Sequence, residues 1–280
     1  MSGLRDFNED DPLRVYIGGD SLADVYGQNF AERLAESGKV STYVDSRPSS
    51  GLVNTKFFDW NKQAKSITAK YEPELFFFII GTNDASIVKS NPEDYESLYI
   101  EKLVELTDNL STSGQPIYFI LAPNMKDPTL NKNVVKLNKV IKMFASSNSY
   151  EVIDSGDVLS PKEVFTKSID GKTIRTNDGV HITNEGGDIL SKFIYSSISS
   201  LIDLTNSNNL PALKVTLVPG CCKTPASVSK PKTYTTKKTV KSTTPSTTST
   251  SPPTTTDEST PEDQSPTPEP GIPEESSPST

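Results

Sequence analysis

The sequence predicts an α/β domain built on a mainly parallel, doubly wound sheet. Two continuous apolar runs, LFFFII at 75–80 and IYFILA at 117–122, are typical of strands that are covered on both faces. Segments with apolar residues at helical spacing separate these runs along the chain. Strands that alternate with helices in this way indicate parallel βαβ units with helices on both faces of the sheet.

The pattern predicts each element in turn. Gly38 ends the first predicted helix, which begins at Ser21, because glycine accepts the backbone conformation that is common at helix ends. The predicted strands are Leu13–Gly19, Val40–Val44, Glu74–Ile80, Pro116–Ala122 and Tyr150–Asp154. The predicted helices are Ser21–Ser37, Pro92–Leu110, Val134–Phe144 and Asn184–Leu204. In such sheets, ligands bind beyond the carboxyl ends of the strands.

A change of composition divides the chain. Aromatic and branched apolar residues are concentrated before Thr205, and the remainder is rich in Thr, Ser, Pro, Lys and Glu. A segment of that composition buries too little apolar surface to offset the entropy lost on ordering. We therefore predict a flexible N-terminus at 1–12, one domain at 13–204 and a disordered tail at 205–280.

Composition also excludes some partners. The formal net charge of −8 disfavours nucleic acid, because phosphate groups bind to basic surfaces. The apolar run at 75–80 is far shorter than the roughly 20 residues of a membrane span, and the N-terminus lacks the pattern of a secretory signal. Cys221 and Cys222 are adjacent and match neither a disulfide framework nor a CxxC metal site. We expect no transmembrane segment, no metal and no cofactor.

Ser21 follows the first predicted strand. Gly18 and Gly19 let the backbone turn sharply there, so the serine hydroxyl is expected at the carboxyl edge of the sheet. The N-terminus of the following helix favours the negative charge of a developing oxyanion. The alternative is that Asp20 and Ser21 only cap the helix.

His181 is the only histidine in the sequence, and it lies three residues after Asp178. A serine hydroxyl needs an adjacent base to act as a nucleophile, and imidazole is the usual one. A carboxylate on the other ring nitrogen fixes the tautomer of that base. Ordinary roles stay open, because a lone histidine commonly belongs to a core or a surface and Asp178 with Gly179 is a common turn pair.

Two further loops follow predicted strands. Asn83, in GTND, carries an amide that can donate to an oxyanion, and Gly51 lets a backbone N–H come close because it has no Cβ. Their ordinary roles are a turn formed by Asn83 with Asp84 and a plain loop glycine at position 51. The aromatic residues that follow, Phe57, Phe58 and Trp60, are predicted to belong to the core.

Four blocks together resemble a known enzyme group. GDSL, the block around Gly51, GTND and DGVH occur in the order and spacing of the SGNH/GDSL hydrolase superfamily, over about 13–204. The resemblance implies a flavodoxin-like three-layer α/β/α sandwich. It also implies roles for the residues of these blocks: Ser21 as nucleophile, His181 as base, Asp178 as its orienting group, and an oxyanion hole made by Gly51, Asn83 and the Ser21 N–H.

The implied activity is hydrolysis of acyl esters, of the esterase or acetylesterase type, through an acyl-Ser21 intermediate on cell-wall or extracellular carbohydrate. Two alternatives are an O-acetyltransferase that uses the same residues on a glycan and a non-catalytic surface module that binds glycans. The tail and the resemblance to a bacterial branch found at the cell surface predict an extracellular or cell-surface protein. Its expected partners are small-molecule or glycan esters, and the sequence leaves the oligomeric state open. By the same likeness, Arg175 is expected to brace the Asp178 loop, meet substrate or form a surface ion pair.

Overall fold

A computed structural model describes residues 4–199, 202–206 and 209–222 of the chain. Within these residues, six strands form one parallel sheet in the order β5-β4-β3-β1-β2-β8, and β6 and β7 form a short antiparallel hairpin. The strands are β1 (Leu13–Gly19), β2 (Val40–Ser46), β3 (Leu75–Ile79), β4 (Ile117–Leu121), β5 (Glu151–Asp154), β6 (Ser168–Ile169), β7 (Lys172–Thr173) and β8 (Thr216–Leu217). The helices are α1 (Ala23–Ala35), α2 (Trp60–Tyr71), α3 (Ile87–Ser90), α4 (Tyr95–Leu110), α5 (Pro128–Asn148), α6 (Gly156–Leu159) and α7 (Asn184–Ile198). The predicted α/β fold with a mainly parallel sheet is confirmed.

Helices cover both faces of this sheet. Phe77 of β3 packs against Phe30 of α1, with ring centroids 4.9 Å apart. The next residue, Phe78, packs against Trp60 of α2, also at 4.9 Å. Because successive side chains of a strand point to opposite faces, α1 and α2 lie on opposite sides of the sheet. Phe119 of β4 is in register with Phe78 and packs against α5, which places α5 on the α2 side.

β1 lies inside the sheet and leads to the site. It pairs with β2 on one side and with β3 on the other, and six of its seven residues are buried. Gly19 ends the strand with a φ of 148°, and a Cβ there would lie 2.0 Å from the carbonyl oxygen of Ile79. Only glycine permits this approach, which lets the Asp20 N–H donate to the same oxygen at 3.0 Å.

Two helices differ from the sequence prediction. The prediction lacks α2, whose buried face consists of few residues and gives a weak periodic signal. Asp59 fixes its start, because the carboxylate accepts a hydrogen bond from the Lys62 N–H at 3.0 Å. α5 begins before the predicted residue because Asp127 caps it, accepting from the Leu130 N–H at 2.7 Å, with Pro128 in the first turn.

The structure corrects the predicted end of the domain at 204. β8 lies within the segment that we predicted to be tail, and it extends the sheet by pairing with β2. The Val218 N–H then donates to the carbonyl oxygen of Val44 at 2.9 Å, and Val218 is buried. The apolar residues of LKVTLV at 213–218 cover the exposed edge of β2, and this short alternating pattern outweighs the polar composition around it. The predicted tail from 223 onward lies outside the described residues.

The N-terminal boundary also needs correction. Residues 1–3 lie outside the description, but Arg5 forms ion pairs with Asp11 and with Glu74, which precedes β3. Phe7 packs against the core. Much of the segment 1–12 that we predicted to be flexible is therefore fastened to the amino edge of the sheet.

Cys221 and Cys222 are joined by a disulfide bond at the end of the described chain. The Ser46 N–H donates to the sulfur of Cys221 at 3.1 Å, which attaches this end of the chain to β2. Across the described ranges, no helix combines the length and the apolar character that crossing a membrane requires.

Candidate active site

Ser21 lies in the turn between β1 and α1. Asp20 closes this turn, because its Oδ1 accepts a hydrogen bond from the Leu22 N–H at 2.9 Å, and no side chain caps α1 itself. The Ser21 hydroxyl is not used as a cap, and its oxygen lies 2.9 Å from Nε2 of His181. The residue that closes the turn is therefore different from the residue whose hydroxyl meets the imidazole.

The loop between β7 and α7 carries His181 to Ser21. Arg175 and Ile182 pair across this loop in an isolated antiparallel bridge. Inside the bridge, the Thr176 N–H donates to the carbonyl oxygen of His181 at 3.0 Å. The loop is therefore a tight turn that holds the imidazole at the carboxyl edge of the sheet.

Asp178 completes a chain of three side chains. Its Oδ2 lies 2.8 Å from Nδ1 of His181. Its Oδ1 accepts from the Thr176 hydroxyl at 2.6 Å and from the N–H groups of Val180 at 2.8 Å and His181 at 3.0 Å. One carboxylate oxygen thus holds the turn and the other faces the imidazole, so Asp178 has both the structural role and the contact expected of an orienting group.

Hydrogen bonds keep Asp178 ionised. Partial burial raises the pKa of its carboxyl group, but bonds from Thr176, from the His181 ring and from two backbone N–H groups lower it well below the usual range. The carboxylate is therefore negative at any pH at which imidazole can act as a base. The side chains of His181 and Asp178 are 46% and 50% exposed, so the pair is open to solvent.

The three predicted oxyanion donors lie in loops at the carboxyl ends of β1, β2 and β3. Among the described residues, the N–H groups of Ser21 and Gly51 donate to no other atom. Asn83 Nδ2 donates to the carbonyl oxygen of Ser50 at 2.9 Å, which ties its loop to that of Gly51. An amide nitrogen carries two hydrogens, so one remains available.

Comparisons with known proteins identify the family and the fold of the chain. A family model described as "Protein of unknown function (DUF459)" matches residues 14–197. The chain belongs to the DUF459 family. The resemblance to the SGNH/GDSL hydrolase superfamily is confirmed. No curated protein sequence matches this DUF459 protein.

Solved structures share the fold of this DUF459 protein over 68% of its chain. One is a member of the lipolytic protein G-D-S-L family from Veillonella parvula, with 17% identity, a TM-score of 0.52 and 100% of that chain covered. A carbohydrate esterase family 3 protein from Talaromyces cellulolyticus has 13% identity, a TM-score of 0.53 and 97% coverage. Est24, a carbohydrate acetylesterase from Sinorhizobium meliloti, has 16% identity, a TM-score of 0.50 and 100% coverage.

Arg175 is fully buried beneath the His181 loop. Its guanidinium donates to the carbonyl oxygens of Asn124 at 2.9 Å, Val180 at 2.9 Å and His181 at 3.3 Å. Burial lowers the pKa of Arg175 to about 10, against the opposing effect of the Asp178 charge. This position excludes the surface ion pair, and the contacts match the bracing role among the three that we expected.

We expect Arg175→Lys to lose stability and activity together. An ammonium group on a flexible stem cannot reach the carbonyl groups of Asn124, Val180 and His181 at once, and each buried group left unpaired costs about 1–3 kcal/mol. The melting temperature should fall by several degrees, and ester turnover by about 10-fold or more, because the imidazole is no longer held in place. Thermal melts and initial rates measure both effects. Arg33→Lys, at a surface ion pair, is the control and should change neither the melting temperature nor the turnover. A wild-type melting temperature and turnover in Arg175→Lys would contradict the bracing role.

A second buried polar group lies directly before Ser21. Asp20 is fully buried, and desolvation raises the pKa of its carboxyl group to about 7, with a further increase from the nearby charge of Asp84. Hydrogen bonds from Leu22 and Thr82 lower this pKa only in part. The Tyr26 hydroxyl is buried in the same region and has its own pKa raised, first by burial and then by the Asp20 charge.

This shift predicts the pH dependence of stability. The pKa of Asp20 is about 7 in the folded state and about 4 in an unfolded chain, so the folded state binds the proton more tightly. The free energy of unfolding should therefore decrease as pH rises from about 4 to 7, by up to about 4 kcal/mol. Asp20→Asn should flatten the melting temperature measured between pH 5 and 8. Asp59→Asn, at an exposed helix cap, should keep the wild-type slope; an unchanged slope in Asp20→Asn would argue against this assignment.

Sequence reasoning missed two supports of the site. Trp60 is buried, as predicted, and its Nε1 also donates to Ser50 Oγ at 2.9 Å, next to Gly51. A buried indole N–H needs an acceptor, so the Trp60 prediction itself implied a polar neighbour. The second support is Thr176, whose spacing of two residues from Asp178 is that of a local side-chain turn.

One predicted core residue is at the surface. Phe57 is 70% exposed, so its assignment to the core was wrong. Among the described residues, no cluster of His, Cys, Asp and Glu is placed to hold a metal ion.

Proposed function

We propose that this DUF459 protein is a serine hydrolase that cleaves acyl esters through a covalent acyl-Ser21 intermediate. The proposal rests on two consecutive contacts, 2.9 Å from Ser21 Oγ to His181 Nε2 and 2.8 Å from His181 Nδ1 to Asp178 Oδ2. A nucleophile, a base and an orienting carboxylate within hydrogen-bond reach are what acyl transfer to serine requires.

In the proposed acylation, His181 Nε2 takes the hydroxyl proton while Ser21 Oγ attacks the carbonyl carbon of the ester. Asp178 accepts from Nδ1–H, which keeps Nε2 unprotonated and then stabilises the imidazolium. When the tetrahedral intermediate collapses, the bond from carbon to the alcohol oxygen breaks. His181 returns its proton to that oxygen, and the acyl group stays on Ser21.

Deacylation repeats these steps with water. His181 removes a proton from a water molecule, whose oxygen attacks the acyl carbon. When the bond from that carbon to Ser21 Oγ breaks, His181 returns the proton to Oγ, and the free acid leaves. The half-exposed imidazole gives water direct access. We assign the oxyanion in both steps to the N–H groups of Ser21 and Gly51 and to the free amide hydrogen of Asn83. No cofactor takes part in these steps.

For the substrate, we propose acetyl or other short acyl esters of carbohydrates. The exposure of His181 and Asp178 leaves room for a large alcohol such as a glycan. Two proteins with the same fold are described as a carbohydrate esterase and a carbohydrate acetylesterase, which supports this class. An extracellular or cell-surface location suits such a substrate and belongs to the proposal.

A serine-directed fluorophosphonate tests the assignment of the nucleophile. The wild-type protein should gain one adduct, which peptide mass spectrometry should map to Ser21. Prior heat denaturation should prevent the labelling, because the reactivity depends on the folded contact with His181. An adduct on another residue, or no adduct on the folded protein, would refute the proposed nucleophile.

Product analysis tests the reaction itself. The protein is incubated in separate reactions with p-nitrophenyl acetate and with acetylated xylan. Each reaction is run with and without a free oligosaccharide as an acetyl acceptor. We expect acetate to accumulate in every case. Acetyl groups recovered on the added oligosaccharide in place of free acetate would assign acyl transfer. If no ester released its acyl group, the proposed hydrolase activity would be refuted in favour of a non-catalytic glycan-binding module.

A further inference from the structure

Asp84 is a buried carboxylate that connects two loops of the site. It lies in the short turn after β3, directly following Asn83, and is 1% exposed. Its two oxygens accept from the N–H of Leu52 at 2.7 Å and of Val53 at 3.1 Å, in the loop after β2. Within the part of the chain that the structure describes, Asp84 forms no ion pair. Burial raises the pKa of Asp84, and hydrogen bonds from the backbone of this loop oppose that increase.

Gly51 immediately precedes the residues that Asp84 holds. A Cβ at Gly51 would lie 2.2 Å from Asp84 Oδ1, so the glycine backbone passes directly against the carboxylate. On the other side, the Ser50 carbonyl oxygen accepts from Asn83 at 2.9 Å. The peptide that carries the Gly51 N–H is therefore fixed from both sides, while that N–H itself stays uncommitted among the described residues.

We propose that Asp84 is a positioning residue that sets the Gly51 N–H as an oxyanion donor without touching substrate. This inference rests on the proposed hydrolase function. An oxyanion donor stabilises the transition state only if it is already oriented when charge develops. The carboxylate orients Gly51 by binding the next N–H groups along the chain and by leaving space that only glycine fills.

The carboxylate suits this task because it has only acceptors. Replacing Asp84 with Asn puts an NH2 group against the N–H of Leu52 or Val53, so one of these contacts becomes a pair of facing donors. The loop must shift to separate them, and the Gly51 N–H shifts with it. Substrate binding depends little on this N–H before charge develops, so the loss should appear in turnover.

The test compares Asp84→Asn with the wild type in kcat and KM for p-nitrophenyl acetate and in the rate of fluorophosphonate labelling. We expect kcat to fall by about 10- to 100-fold, KM to change by less than about 2-fold, and labelling to slow by a factor similar to that of kcat. Val140→Ala, which opens a cavity at a buried position of α5, is the stability control. It should lower the melting temperature and leave kcat and labelling unchanged. A merely structural Asp84 would behave like this control, which would overturn the inference.

A double variant provides an independent test. Gly51→Ala forces a methyl group against Asp84 and should itself lower kcat. Since both changes act through the same N–H, adding Asp84→Asn to Gly51→Ala should cause little further loss. A full additional loss would overturn the inference. If Asp84→Asn does not fold, Gly51→Ala alone is measured. An unchanged kcat in Gly51→Ala would then overturn the inference.

The two proposals fail in different ways. Without an adduct on Ser21 in the wild-type protein, the hydrolase assignment fails and the role of Asp84 fails with it. If the wild-type protein forms the adduct and both Asp84→Asn and Gly51→Ala are labelled at the wild-type rate, only the role of Asp84 is lost.

Discussion

Ser21→Ala is expected to lower the hydrolysis of p-nitrophenyl acetate by at least about 10⁴-fold. A methyl group has no lone pair with which to attack the ester, so no acyl intermediate forms even though His181 and the oxyanion donors remain. The variant should keep its melting temperature. The Ser21 hydroxyl contacts only His181 among the described residues, and the Asp20 carboxylate closes this turn. Initial rates and thermal melts measure the two effects.

Ser97→Ala is the matched control for this experiment. Ser97 lies in α4, and its hydroxyl donates only to the carbonyl oxygen of Asp94, so its loss should leave turnover at the wild-type value. Retention of a tenth or more of the activity by purified Ser21→Ala would place the nucleophile elsewhere in the molecule.

Asp178→Asn is the second large expected effect, a loss in kcat of about 10⁴-fold. Three donors, from Thr176, Val180 and His181, converge on Oδ1, so an amide must keep its oxygen at that position. Its NH2 group then takes the place of Oδ2 and donates to Nδ1 of His181. The ring proton moves to Nε2, which can no longer accept the proton of Ser21. Stopped-time assays with p-nitrophenyl acetate measure the loss.

Asp188→Asn is the control for the second variant. Asp188 is a carboxylate of similar exposure in α7 that pairs with Arg33 and Lys192 at the surface. Its replacement should change kcat by less than about 2-fold, since exposed ion pairs contribute little. If Asp178→Asn matched this control, the carboxylate would have only its role in the turn.

The central sheet could be predicted because its strands are unusually clear in the sequence. Each run of consecutive buried residues in β3 and β4 is apolar throughout, which is typical only of strands covered on both faces. α2 and β8 could not be predicted with the same means. α2 depends on its Asp59 cap more than on an apolar stripe, and β8 is stabilised by the edge of β2, a tertiary partner that local sequence does not reveal.

The candidate site also contains residues that could be predicted from the sequence and residues that could not. Ser21 and His181 could be named from short motifs, because the chemistry restricts which residue types can serve. The supports are harder to predict, because they depend on neighbours that are distant in sequence. Arg175 binds carbonyl groups of two loops, and Asp84 binds N–H groups about thirty residues earlier in the chain. Nothing in the spacing of these residues indicates which backbone groups they will meet.

The parallel direction of β8 has a practical consequence for immobilising or tagging this protein. β8 runs alongside β2, so the described chain departs from the rim of the sheet on which Ser21 lies. Arg5 is fastened to Glu74, at the opposite rim. A bead or fusion partner joined after residue 222 therefore starts on the reactive side and competes with bulky esters for space, whereas attachment ahead of residue 4 leaves that side clear.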